Sequence, residues 1–168
     1  EIREGVGGHG VIAELSGALP GPVIALRADM DALQIEEETG LSFCSENCGV
    51  MHACGHDLHT AVLLGTAEIL ATRSLPFNLM FIFQHGEEVL PGGARDIIGN
   101  VFFQTHLPEW IIALHAEPDL PVGQLGICPG QYMASGDEIS ITLHGPGGHA
   151  ALPDQSADLI LIASHIVV

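Results

Sequence analysis

The stretch FNLMFIFQ, residues 77–84, has no charged position and is apolar almost throughout. A strand with one wet face alternates apolar and polar residues, so a run like this needs cover on both faces. That is the setting of a strand inside a largely parallel sheet flanked by helices. PVIALRAD (22–29) and EWIIALHA (109–116) read the same way and are predicted as buried strands. GVIAEL (10–15) is separated from the first of them by the turn signal LPGP, which predicts a hairpin or adjacent strands. Helix-like segments fall between and after these runs: TAVLLGTAEILAT (60–72), with Asp57 placed ahead of it as N-cap, GGARDIIGN (92–100) and DLILIASHIVV (158–168). QLGIC (124–128) and EISITLHG (138–145) are predicted as later strands.

Strands alternating with helices predict an α/β fold, a mainly parallel sheet with flanking helices. The turn-rich PGQYMASGD places a domain boundary near Ala134, giving residues 1–133 and 134–168. Composition agrees with a packed core: 47% of the 168 residues are apolar and 15% are charged. The apolar runs are far shorter than the roughly 18 residues that cross a bilayer. The formal net charge is −17, with four basic residues, which excludes a basic nucleic-acid-binding surface. An acidic, histidine-rich chain can instead hold divalent cations. The four cysteines lack the paired spacing of a zinc ribbon, and a core-rich chain of this size does not need a disulfide framework. Both ends read as cut, so the chain is expected to be a fragment; a cytoplasmic location is the expectation for the protein.

In α/β sheets the site lies beyond the carboxyl ends of the strands. Four polar clusters fall there: RADMDAL, HACGHD, QHGEE and LHAEP. Taken singly, each has an ordinary explanation. Cys54 could be a small core side chain, Asp29 and Asp31 could be turn caps, Glu87 and Glu88 a solvated pair, and His115 a satisfied core histidine. Taken together, Asp-x-Asp, Cys-x-His, Glu-Glu and His at four such positions make the inventory of a two-metal hydrolase. Two divalent ions about 3.5–4 Å apart can clamp an attacking water and a substrate oxygen, with one glutamate as ligand and its neighbour as base.

The run IALRADMDAL…EETGLSF…GVMHACGHDLHTAVLLGTAEIL, then FQHGEE…GGAR, ALHAEPDLPVGQLG and GPGGHAALP, closely resembles the N-acyl-amino-acid amidohydrolase family, which includes aminoacylase-like enzymes, hippurate hydrolases and auxin-conjugate hydrolases. The resemblance spans nearly the whole chain in order. It implies a metal-binding α/β catalytic domain followed by the start of an α+β lid that dimerises. It implies Cys54, His56, Glu88 and His115 as metal ligands and Glu87 as general base. His149 in GPGGHAA would reach a substrate carbonyl or carboxylate, and Asp31 would support the ligands without binding metal itself. The cofactor implied is a pair of divalent ions, manganese or zinc, with cobalt or nickel also suited to a mixed sulfur, nitrogen and oxygen set. The partners implied are an N-acyl amino acid substrate and a second copy of the chain as homodimer.

The pattern departs from the family at His85 and Gly86, where Pro-Ala is commoner, and at Gln34, Asp154 and Leu159. The last metal-binding histidine of the family lies beyond residue 168. The expected activity is metal-assisted hydrolysis of the amide bond of N-acyl amino acids. A truncated metal-binding or dimerising module without turnover is the alternative. A two-metal phosphoesterase would need a cationic clamp, and Arg3, Arg27, Arg73 and Arg95 are the only basic residues.

Overall fold

The structure is a computed structural model that describes residues 1–167. Its first compact unit, Glu1–Val122, is built on a five-stranded sheet; a second unit begins at Gly123. The strands are β1 (Ile2–Val6), β2 (Gly10–Leu15), β3 (Val23–Asp29), β4 (Asn78–Gln84) and β5 (Trp110–Ala113), in the order β1-β2-β4-β3-β5. β3 runs parallel to both β4 and β5, while β1–β2 and β2–β4 are antiparallel. The sheet is therefore mixed rather than mainly parallel. β2 and β3 are not neighbours either, because β4 lies between them.

β4 explains the rest. Its side chains alternate between two apolar clusters, as the twofold period of a strand requires. Met80 and Ile82 join Val6, Ile12, Ala25, Ile97 and Phe103. Leu79 and Phe81 join Ala28 and Leu63. The helices α2 (Gly93–Gly99) and α3 (Val101–Thr105) supply Ile97 and Phe103, and α1 (His56–Ala71) supplies Leu63. Both faces of β4 are thus covered, which is why its sequence carries no alternation.

α1 begins at His56, one residue before Asp57. Its N-cap is Gly55, left-handed at φ 81°, with no side-chain cap, and Asp57 sits in the first turn. The cap predicted at Asp57 is displaced because the chain turns sharply at Gly55 to bring Cys54 and His56 toward the sheet.

β5 departs from expectation in burial. All four of its residues are exposed, with Trp110 at 63%. It pairs through β3 alone, so the apolar run has a partner on one edge only. In the second unit, residues 124–128 and 138–145 form no strand, and the regular structure is a 3₁₀ turn at Pro153–Gln155 and α4 (Leu159–Val167). A lid domain is not evident in these residues.

Candidate metal centre

The parallel strands deliver their carboxyl ends to one edge of the sheet. Asp29 closes β3, Gln84 closes β4, and His115 lies two residues past β5. The amino end of α1 arrives at the same edge, with Cys54 and His56 on either side of Gly55. The structure brings Cys54, His56 and His115 together, and His56 with Glu87 and Glu88. Within each trio one donor atom per residue lies within 4.8 Å of the others. His56 belongs to both trios, so the two groups of donors adjoin.

The ring nitrogens decide which histidines are free to bind. His56 is 1% exposed. Its Nδ1 lies 3.0 Å from the Asp31 carbonyl oxygen and 3.2 Å from the Asp31 carboxylate, so Nδ1 carries the hydrogen and donates. Its Nε2 lone pair then faces Glu88, 3.9 Å away. His115 is set the same way: Nδ1 donates to the Ala116 carbonyl at 2.7 Å, and Nε2 lies 3.4 Å from Cys54 Sγ. An imidazole tied at one nitrogen to a carbonyl or carboxylate, with the other nitrogen aimed at a cluster of donors, is the usual posture of a metal ligand.

Asp31 links the two halves. While one oxygen faces His56, the other accepts the Glu88 N–H at 2.9 Å. Burial would raise its pKa, but backbone hydrogen bonds from Glu88 and Glu87 and the nearby His56 hold it below the ordinary value. Cys54 goes the other way. Burial pushes its thiol up, and Glu88, Glu87 and Asp29 push it further. Three carboxylates around a thiol make a thiolate unfavourable unless a cation joins them. The donor set of thiol, two free imidazole nitrogens and paired carboxylates therefore fits divalent metal.

A third grouping, Asp29 with His56 and His59, also lies within 4.8 Å. Here both nitrogens of His59 are already engaged: Nδ1 lies 2.6 Å from Asp29 and Nε2 accepts the Ala116 N–H at 2.8 Å. His59 is thus not available as a ligand without breaking buried bonds. Asp29, 2% exposed, is also held by Arg27 at 2.8 Å, and Arg27 in turn donates to Gln84 at 2.9 Å. Sequence reasoning reads His59 as a supporting or merely local side chain and not a ligand, in keeping with these bonds, and gives no role to Arg27 or Gln84. The signal for His59 was its spacing: 56, 59 and 63 share one helix face, and all three are buried. His149 belongs to the second unit, on an exposed turn where its Nδ1 accepts the Ala151 N–H at 3.1 Å.

The sequence profile of peptidase family M20/M25/M40 matches residues 25–167. The chain belongs to this family. It is 46% identical over 160 residues to the N-acetylcysteine deacetylase of Bacillus subtilis, covering 94% of this chain and 41% of that one. A Bacillus subtilis structure described as a dinuclear metal binding peptidase from M20 family is 47% identical, with a TM-score of 0.67 over 73% of this chain and 35% of its own. A candidate aminohydrolase from methicillin resistant Staphylococcus aureus is 35% identical, with a TM-score of 0.76 over 99% of this chain and 44% of its own. This M20 chain thus spans about two-fifths of the length of the relatives it matches, and its mixed sheet with helices corresponds to part of an M20 catalytic domain.

Proposed function

We propose that the protein hydrolyses the amide bond of N-acyl amino acids, as a dinuclear M20 amidohydrolase. The observation that carries this reading is the pair of adjoining donor trios, Cys54 with His56 and His115, and His56 with Glu87 and Glu88. The deacetylase name of the Bacillus subtilis relative supports the substrate class. Cys54, His56, Glu88 and His115 are the proposed ligands, Asp31 orients His56 and Glu88, and Glu87 is the proposed base. Bound divalent ions would supply Lewis acidity toward the acyl carbonyl and acidify an attacking water. Glu87 takes the proton from that water on a carboxylate oxygen and passes it to the departing amine. Asp29, buried and paired with the half-buried Arg27, is neutralised beside the site. Zinc or manganese suits the set, with the thiol favouring the softer ion.

The test is Glu87→Gln in the chain expressed with the sequence that flanks it in its gene. Turnover of N-acetyl and N-benzoyl amino acids should fall by about 10²–10⁴, while the metal bound per chain stays at the wild-type value. Retained turnover would remove Glu87 as base. Loss of metal together with activity would make Glu87 a ligand instead.

A further inference from the structure

His59 is buried and ionisable, and the chemistry proposed above does not use it. A backbone N–H can only donate, so the 2.8 Å contact from Ala116 N fixes His59 Nε2 as an acceptor. The ring hydrogen must then sit on Nδ1, where it donates to Asp29 at 2.6 Å. Asp29 is itself anchored by Arg27, and its carbonyl accepts the Thr60 hydroxyl at 2.9 Å. On the far side, Ala116 turns its carbonyl to His115 Nδ1 at 2.7 Å, leaving His115 Nε2 toward Cys54. Ala116 is also where the two ligand loops touch, since a Cβ built on Gly55 would lie 3.3 Å from the Ala116 Cβ. The line therefore runs from Asp29 through His59 to the N–H of the His115–Ala116 peptide, and the next peptide's carbonyl, that of Ala116, holds the His115 ring.

We propose that His59 is a positioning residue: by holding the N–H of the peptide that joins His115 to Ala116 it fixes the backbone that carries His115, and with it the affinity of the metal position that His115 shares with Cys54. This rests on the proposed metal centre. Packing alone would predict that any side chain of similar bulk serves at position 59. The line of hydrogen bonds predicts that the acceptor at the Nε2 position matters specifically.

Two amide variants separate these. Asparagine reaches about as far as Nδ1, so His59→Asn keeps a donor for Asp29 and loses the acceptor for Ala116. Glutamine reaches about as far as Nε2, so His59→Gln keeps that acceptor. In Co²⁺ titrations of the chain with its native flanking sequence, His59→Asn should weaken one binding step by about 10–100-fold, and His59→Gln should stay within about threefold of wild type, the orienting bond being kept. Equal losses in both variants, or none in either, would overturn the proposal. A wild type that binds no Co²⁺ would overturn it together with the metal-centre reading, whereas normal wild-type binding with an unaffected His59→Asn overturns it alone. If His59→Asn does not fold, long-range ¹H–¹⁵N spectra of the wild type decide: His59 must carry its proton on Nδ1, and the opposite tautomer removes the proposal.

Discussion

Asp29 is nearly inaccessible and yet favours its ionised form. Burial pulls its pKa up, but the hydrogen bond from His59 and the charge of Arg27 outweigh it and hold the carboxyl below its ordinary 3.8. A carboxyl whose folded pKa lies below its unfolded one adds stability above the unfolded value and loses it as pH falls through the folded value. Wild type should therefore exceed Asp29→Asn by about 1.5–3 kcal/mol near pH 6, the worth of hydrogen bonds to a charged group. The gap should close as the pH drops below 3.8. Urea midpoints measured across that range check it; a gap independent of pH would show that the charge is not what stabilises. The convergence of Cys54, His56, Glu87, Glu88 and His115 was legible in the sequence because each interrupts an apolar context at a strand end or helix start. The two bonds that engage His59 were not. A histidine inside a helix looks the same whether free or doubly bonded, and the partner that decides, the Ala116 N–H, lies 57 residues away.

At the scale of elements, apolar runs announced β2 to β5, and a longer run apolar on most faces behind a candidate cap announced α1. β1 went unread: IREGV carries Arg3 and Glu4, the charges expected on an edge strand, and its register slips between Glu4 and Val6 at Gly5, φ 71°. Sheet order was not legible either, since the long excursion through α1 before β4 hides that β4 inserts between β2 and β3. Residues 124–128 and 138–145 have strand-like patterns without partners, and pattern becomes strand only where another strand supplies hydrogen bonds. The loop that carries Glu87 and Glu88 is packed against one small residue. Gly93 opens α2 where a Cβ would collide with the His85 carbonyl, and its N–H donates to Gly86 at 2.7 Å. Gly93→Ala should cost about 1–3 kcal/mol from overpacking. It should lower kcat by about 10²-fold through displacement of Glu87 and Glu88. Thermal melts with steady-state kinetics test both; unchanged kcat would mean that the loop is held by other contacts.

The whole chain carries a formal charge of −17 with four arginines and no lysine. Self-repulsion of that size opposes compaction and is screened by salt, the Debye length falling from about 30 Å at 0.01 M to about 8 Å at 0.15 M. The melting temperature should therefore rise on adding sodium chloride over that range, and a flat profile would show that the negative groups lie too far apart to repel one another. Arginine pairing does little to offset them, because Arg27 is the only one of the four with a buried carboxylate partner among the described residues. β5 adds a different property. Trp110 is the sole tryptophan of the chain and stands exposed on the strand that leads to His115. All indole fluorescence therefore originates from this one strand. Its emission maximum will lie at the long wavelengths of a wet indole while β5 is open, and it will move to shorter wavelengths when another surface covers β5, so the chain reports the covering of its own open strand without a label.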